Sequence, residues 1–243
     1  MATHTASPAR VRVLGHPLDL VDLDEAAELV VGWVNAGSTA AVVTLNPELV
    51  VRARDDRALR EAIDAATLSV PDGVGIVWAA RRVGVTVPGR VPGVELVERI
   101  LERSGSGVTA FFLGGRPGIA ERAAKRATDR FGTVVVGTRD GYFSEDDEVK
   151  VAADVAASGA QLLLVGLGER QERFLHERRS ELGASVAIGV GGTLDVLAGA
   201  AKRTPAWTRR LGLEWAWRVG LDPARWHRAP RLLRFVVLTL RSR

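Results

Sequence analysis

Short apolar runs and amphipathic segments alternate along most of this chain, and this alternation restricts its fold more than any other feature. Five apolar runs have the length and composition of strands that are buried on both faces. They are residues 40–45, 109–113, 133–136, 161–165 and 185–190. Five other segments carry apolar residues at helical spacing. They are residues 24–35, 92–103, 117–130, 145–157 and 169–182. The pattern predicts a doubly wound α/β domain with a mainly parallel, Rossmann-like sheet.

Residues 202–243 differ from the rest of the chain in charge. They hold eleven Lys or Arg, two acidic residues and four of the six Trp. The whole chain has 33 basic and 29 acidic residues, so the part before residue 202 is mildly acidic. Because the pattern becomes purely helical near Pro205, we expect an α/β domain at residues 1–203 and a helical, basic appendage at 204–243. This asymmetry indicates an anionic partner, such as a phosphate-bearing substrate, a lipid surface or nucleic acid.

Several features argue against a metal site and a membrane span. The chain has no Cys, and its four His are scattered. Asp22 and Asp24 could hold a divalent cation, but capping of the following helix is the preferred interpretation. No run approaches the roughly 20 apolar residues that span a bilayer. We therefore expect no metal and, at most, contact with the surface of a membrane.

Three predicted strands end in glycine-rich turns. In open α/β sheets, ligands bind beyond the carboxyl ends of the strands, where glycine lets a ligand approach the backbone. Each turn alone is explained by a tight strand-to-helix connection, but three at one edge favour a nucleotide site. The second turn resembles a dinucleotide fingerprint, although Gln171 replaces its third glycine, which weakens an oxidoreductase interpretation. The glycines in question are Gly114, Gly115, Gly166, Gly168, Gly191 and Gly192.

Polar residues at the same edge are candidates for chemistry. Thr44 and Asn46 lie at the carboxyl end of the first predicted strand, and Asn46 before Pro47 is also a favoured helix start. Asp72 precedes a glycine-rich turn, where it could cap a helix or act as a general base toward a hydroxyl. Arg90 could pair with a carboxylate or bind phosphate. In the appendage, Arg218, Arg225 and Arg228 form either a solvated basic surface or an anion site.

The motifs together resemble the WecG/TagA/CpsF glycosyltransferase family, also called glycosyltransferase family 26. The resemblance covers roughly residues 44–234, and the joint order of the motifs is what makes it specific. The motifs are T-L-N-P-E-L (44–49), P-D-G-V-G-I-V-W-A (71–79), R-V-P-G-V-E-L (90–96), F-L-G-G-R-P-G (112–118), G-Y-F (141–143), V-G-L-G-E-R-Q-E (165–172), G-V-G-G-T-L-D-V-L-A-G (189–199), G-L-E-W-A-W-R (212–218) and D-P-x-R-x-x-R (222–228).

The resemblance implies an inverting enzyme that moves a sugar from UDP to a polyprenyl-diphosphate-linked sugar, for a teichoic acid or another surface polysaccharide. N-acetylmannosamine or its uronic acid is the expected sugar, and glucose-type donors such as UDP-glucose or UDP-glucuronate are the alternative. It also implies no metal or other cofactor, and an appendage that helps close the site and contacts the inner face of the cell membrane from the cytoplasm. A nucleic-acid-binding module is the remaining alternative, and nucleic acid is not the expected partner. Self-association is left open.

Roles follow for the residues that match the family's motifs. Asp72 resembles the general base, Thr44 and Asn46 resemble groups that position donor or acceptor, and Arg90 and Gln171 resemble further pocket residues. Arg218, Arg225 and Arg228 match arginines that engage diphosphates. Gly191, Gly192 and Asp195 are similar to the family's nucleotide-binding end. One departure stands at residues 169–170, where Glu-Arg replaces the Pro-Lys common in the family and adds a negative charge.

Overall fold

The computed structural model describes residues 7–201 and 229–242, and its centre is a six-stranded parallel sheet. A two-stranded antiparallel hairpin, β1 and β2, precedes the sheet. The order across the sheet is β4-β3-β8-β7-β5-β6, which confirms the predicted doubly wound α/β fold. The strands are β1 Arg10–Val13, β2 His16–Asp19, β3 Ala40–Leu45, β4 Leu68–Pro71, β5 Thr109–Gly114, β6 Val134–Arg139, β7 Leu162–Gly166 and β8 Val186–Gly189.

Helices cover both faces of the sheet. In the described residues the α-helices are α1 Leu23–Asn35, α2 Pro47–Arg52, α3 Arg57–Asp64, α4 Val74–Arg82, α5 Gly93–Ser104, α6 Ile119–Phe131, α7 Glu148–Ala157, α8 Gln171–Glu177, α9 Thr193–Leu197 and α10 Ala229–Arg241. None of these helices is long and apolar enough to span a bilayer.

Alternation along the buried strands explains the layers. On β5, Phe112 faces a core formed with α1, α5, α6 and α9, whereas Phe111 faces the opposite core with α7 and α8. A third cluster packs α2, α3, α4 and the hairpin against β3. Successive side chains of a strand point to opposite faces, so a run that is apolar throughout fits a sheet covered on both sides. This is the physical reason that β3, β5, β7 and β8 could be predicted from short apolar runs. The expectation of burial on both faces is wrong for β6, an edge strand that exposes Val134 and Val136.

The hairpin and β4 were not predicted as strands. Each of these strands has only four residues, and Pro17 and Pro71 interrupt the usual strand composition. Their pairing depends on a buried carboxylate: Asp19 accepts hydrogen bonds from Arg10 Nε at 2.8 Å and from the Ser69 backbone N–H at 2.7 Å. The hairpin therefore covers the edge strand β4, whose carboxyl end leads into Asp72.

Helix α10 packs on the α/β domain across α2 and α4. Phe235 is buried there, and a Cβ on Gly75 would lie 3.3 Å from its ring and only 2.6 Å from Pro47 Cγ. The opposite face of α10 exposes Leu233, Val236, Val237 and Leu240. The boundary expected between residues 203 and 204 lies outside the described residues, and it stays a prediction.

Candidate functional site

Three strands bring polar side chains together around the first residue of α5. A methyl group placed on Gly93 would lie 3.4 Å from Thr44 Cγ2 and 3.8 Å from both Asp72 Oδ2 and Thr193 Oγ1. These residues follow or end three neighbouring strands, β4, β3 and β8. We call Thr44, Asp72, Gly93 and Thr193 the Gly93 corner. It joins two residues predicted from the sequence with Thr193, which was not singled out.

Backbone hydrogen bonds hold the Gly93 corner in position. The N–H of Asp72 donates to Leu45 O at 2.9 Å, and the N–H of Val91 donates to Pro71 O at 2.8 Å. Thr44 Oγ1 donates to Gly189 O at 3.3 Å, which ties β3 to β8. The side chain of Asp72 is half-buried at the end of β4. The corner thus combines the Asp72 carboxylate, the Thr193 hydroxyl group and the Thr44 methyl group at the edge of the sheet.

Asn46 stands beside the corner with its amide engaged. Its Oδ1 accepts a hydrogen bond from the Leu49 N–H at 3.0 Å, and its Nδ2 donates to Thr44 O at 3.3 Å. Asn46 is therefore the N-cap of α2, as the structural interpretation of the sequence predicted.

A groove of about 430 Å³ runs along α4, which begins two residues after Asp72, and contains Arg90 in its wall. Val74, Val77 and Trp78 line one side along α4, and Val87 and Pro88 lie on the other. Arg81, one helical turn beyond Val77 and Trp78, adds a second guanidinium. Helical spacing of these α4 residues is a signal in the sequence, but it does not reveal which side of the helix faces the site. The groove combines apolar walls with two cationic side chains.

Close packing requires the glycines at the ends of β5 and β7. We call Gly114, Gly115 and Gly166 the β5–β7 turns. A Cβ on Gly114 would lie 2.3 Å from Gly166 O, and one on Gly166 would lie 2.8 Å from Gly191 O. A Cβ on Gly115 would lie 2.6 Å from the Ile119 side chain. Gly114 and Gly115 also have positive φ. The fold alone therefore accounts for these three glycines.

The other glycines of the predicted nucleotide site lie in open space. Gly168 and Gly191 have φ of +62° and +51°, which favours glycine, yet no atom lies within 4 Å of a Cβ added to either. Gly192 is equally open, and its φ of −77° suits any residue. Asp195 follows in the first turn of α9, where its backbone oxygen accepts hydrogen bonds from the N–H groups of Ala200 and Ala201.

Gln171 and Glu172 form a buried pair beneath the Gly191 turn. Gln171 Oε1 accepts a hydrogen bond from the Gly191 N–H at 2.9 Å, and its Nε2 donates to Glu172 Oε1 at 2.7 Å. Burial raises the pKa of Glu172 to about 7, and the hydrogen bond from Gln171 opposes that rise. Glu172 Oε2 is buried without a hydrogen-bond partner in the described part of the chain. The predicted pocket residue Gln171 thus holds the backbone of the turn that follows β8, at Gly191, which we call the β8 turn.

Glu169, the departure from the family pattern, lies among arginines. Arg231 Nη1 at the start of α10 contacts Glu169 Oε1 at 2.6 Å and Glu48 Oε1 at 2.7 Å. Arg52 donates to the backbone oxygen of Glu169. Arg170 instead donates to Gly141 O at 3.0 Å and stacks over a phenylalanine ring. The negative charge of Glu169 is therefore offset by Arg52 and Arg231, neither of which was predicted as part of the site.

Asp22 and Asp24 have structural partners. Asp22 caps α1, forming a capping box with Glu25. Asp24 pairs with Arg99 and Arg103, and the hydrogen bond from Arg99 lowers the pKa of its carboxyl group. The capping interpretation is confirmed. Arg218, Arg225 and Arg228 lie outside the described residues, and their roles stay predictions.

The fold agrees with the resemblance seen in the motifs. The chain belongs to the glycosyl transferase WecG/TagA/CpsF family, whose sequence model matches residues 11–243. Membership supports transferase activity in the synthesis of cell-surface polysaccharide, and it favours this class over the oxidoreductase and nucleic-acid alternatives.

Proposed function

We propose that this protein is an inverting glycosyltransferase that moves a sugar from UDP to a polyprenyl-diphosphate-linked sugar. N-acetylmannosamine or its uronic acid is the expected sugar, and UDP-glucose or UDP-glucuronate is the alternative donor. The observation that carries the proposal is the Gly93 corner, where the Asp72 carboxylate and the Thr193 hydroxyl group lie around Gly93 at the carboxyl edge of a parallel sheet. In such folds this edge is where nucleotide ligands bind.

The chemistry needs one base and a stabilised leaving group. Asp72 accepts the proton of the acceptor hydroxyl as that oxygen bonds to the anomeric carbon of the donor. The bond from the anomeric carbon to the UDP oxygen breaks as the new bond forms, so the configuration inverts and UDP carries away the electron pair. Negative charge on the leaving diphosphate is stabilised by cationic side chains and by helix N-termini. The proposal involves no metal ion or other cofactor.

The groove along α4 supports an acceptor that is both apolar and anionic. Val74, Val77 and Trp78 offer contact to the isoprenoid chain, and Arg81 and Arg90 offer charge to the diphosphate. The outward apolar face of α10 suits contact with a lipid surface. We therefore propose a peripheral enzyme at the inner face of the cell membrane, with the basic appendage as its membrane contact and no nucleic-acid partner.

The test is UDP release from a panel of UDP-sugars in EDTA, with and without a short-chain polyprenyl-diphosphate N-acetylglucosamine acceptor. Acceptor-dependent release from one donor is expected, and it names the sugar. Asp72→Asn should lower kcat roughly 100- to 10,000-fold while UDP still binds, because a general base contributes about that factor.

Asp129→Asn serves as the matched control, since Asp129 is an exposed aspartate on α6 that pairs with Lys125. It should leave the rate unchanged. An Asp72→Asn enzyme with the wild-type rate would contradict the base assignment. No acceptor-dependent release from any donor by the wild-type enzyme would contradict the proposed reaction itself.

A further inference from the structure

Thr193 brings a hydroxyl group to the site. The residue is 2% exposed at the start of α9, and its Oγ1 would lie 3.8 Å from a Cβ added to Gly93. Thr44 Oγ1 donates to a backbone oxygen. The Asp72 Oδ2 atom would lie at the same distance of 3.8 Å from that Gly93 Cβ. A hydroxyl group held close to a carboxylate at the carboxyl edge of the sheet is suited to a polar group of a ligand.

Gly93 lets such a ligand group approach the backbone more closely than a residue with a side chain would. Its backbone does not have positive φ, and an added Cβ would make ordinary contacts of 3.4 Å or more. Neither backbone conformation nor packing therefore requires glycine at this position, which begins an α-helix. The space that a Cβ would fill is bounded by the Asp72 carboxylate and the Thr193 hydroxyl.

Hydrogen bonds in the turn after β8 fix the position of Thr193. Its N–H donates to Val190 O at 3.1 Å, and the N–H of Gly191 donates to Gln171 Oε1 at 2.9 Å. Glu172 accepts from the other end of the Gln171 amide and so sets its orientation. The turn that presents Thr193 is held by the fold before any ligand binds, and preorganisation of this kind is what a positioning hydrogen bond requires.

We propose that Thr193 is a further substrate-contacting residue, whose Oγ1 hydrogen-bonds a sugar hydroxyl group lying over Gly93 between Thr193 and Asp72. The inference rests on the proposed function, because that function supplies the sugar. A threonine hydroxyl both donates and accepts, so it can pair with a sugar hydroxyl in either orientation while Asp72 accepts from the same ring or its neighbour.

The first test replaces the hydroxyl group while keeping the shape. Thr193→Val should lower kcat/KM for transfer about 10- to 100-fold, since a site built to bind a hydroxyl loses roughly that factor when one partner is removed. Thr193→Ser should recover most of the loss. UDP affinity, measured by calorimetry, should stay unchanged in both variants. The substrate whose KM rises in Thr193→Val, donor or acceptor, identifies the sugar that Thr193 contacts.

Two controls separate contact from a structural role. Thr133→Val removes a buried threonine hydroxyl that has no hydrogen-bond partner in the described part of the chain, just before β6 and at the opposite end of the strands, and it should leave kcat/KM unchanged. Gly93→Ala should retain the wild-type melting temperature and lose most of the activity, because its methyl group fills the sugar position. Gly32→Ala, at an open helical position in α1, should retain both.

The outcomes are distinct. Wild-type kcat/KM in Thr193→Val, or equal losses in Thr193→Val and Thr193→Ser, would overturn the inference and leave the proposed function standing. Full activity in Gly93→Ala would overturn the placement of the sugar. A wild-type enzyme that transfers no sugar from any UDP-sugar would overturn both the proposed function and this inference, whatever the variants do.

Discussion

The Gly93 corner and the β5–β7 turns lie at the same edge of the sheet, yet they are built in opposite ways. In the corner, side chains at the ends of three strands surround a glycine, and a Cβ added there would make ordinary van der Waals contacts at 3.4 Å or more. In the turns, backbone lies directly against backbone, and a Cβ on Gly114 would lie 2.3 Å from the oxygen of Gly166. One region leaves room for a ligand group, and the other fills its space with the protein itself.

This difference shows how far a glycine-rich motif can be interpreted. A glycine that the fold requires, such as Gly114 or Gly166, gives no information about a ligand, because any side chain would disrupt the packing. A glycine that the fold does not require, such as Gly93 or Gly192, is better explained by something that approaches from outside. The chemistry of the site is therefore expected at the Gly93 corner and the β8 turn.

The largest expected effect on stability comes from a substitution in the β5–β7 turns. Gly114→Ala should destabilise the protein by about 3 kcal/mol or more, since it adds a clash with backbone to a φ that only glycine adopts freely. That φ is +131°. Gly93→Ala should leave the free energy of unfolding nearly unchanged. Urea denaturation of both variants followed by circular dichroism measures the difference, and equal stabilities would contradict the contrast between the two regions.

Part of this arrangement could be predicted from the sequence. Thr44 was expected at the carboxyl end of a predicted strand and Asp72 near the binding site, at the edge where ligands of such sheets bind. Their proximity depends on the pairing of β3 with β4, which was not predicted as a strand. Thr193 was missed because its closeness to Asp72 depends on β8 lying beside β3, and these strands are more than 140 residues apart in the chain. Periodicity describes the faces of one element and does not give the order of strands in a sheet.

The glycine motifs and the charge reversal at Glu169 show a second limit. The letters of a glycine turn are the same whether the missing Cβ makes way for Gly166 O or for a ligand. Glu169 suggested a repulsive charge near phosphate, but its partner Arg231 follows 62 residues later in a separate helix. Pairing across that distance is set by the docking of α10, which no local pattern encodes.

The next largest effect is on the pH dependence of stability and concerns Glu172. This residue bonds to Gln171, which in turn holds the β8 turn next to the Gly93 corner. Burial raises the pKa of Glu172 from 4.5 to about 7, so the folded protein holds a proton that the unfolded chain releases between these values. Stability from this group is present below pH 4.5 and is lost as pH rises through 7. Glu172→Gln should therefore gain stability relative to the wild type with rising pH, by on the order of 3 kcal/mol at pH 8.

Charges facing Glu172 enter this prediction. Arg52 on α2 lowers the pKa of Glu172, and Glu48 on the same helix raises it. Denaturation midpoints of wild type and Glu172→Gln between pH 5 and pH 8 give the measurement. A stability difference that does not change over this range would show that Glu172 titrates at its ordinary pKa. Glu177→Gln, at the far end of α8, is the control and should show no comparable trend.

The smallest expected effect concerns Arg231, which connects the two sides of the site through α10. Its guanidinium bridges Glu48, in the helix that Asn46 caps, and Glu169, next to the Gly168 turn. All three side chains are partly exposed. Water therefore screens the attraction between the charges, and forming the pairs costs some of their hydration. Arg231→Gln should therefore cost at most about 1 kcal/mol of stability, and less at high salt.

A substitution at Phe235 tests whether burial of its ring or the ion pairs of Arg231 hold α10 against the α/β domain. The ring is 2% exposed against α2 and α4, and Phe235→Ala should cost about 3 kcal/mol, the usual range for a buried aromatic ring. If Arg231→Gln were instead the more damaging change, the ion pairs would be what holds α10 to the domain. Thermal melts of both variants at low and high salt decide between the two, because burial of a ring is insensitive to the salt that screens Arg231.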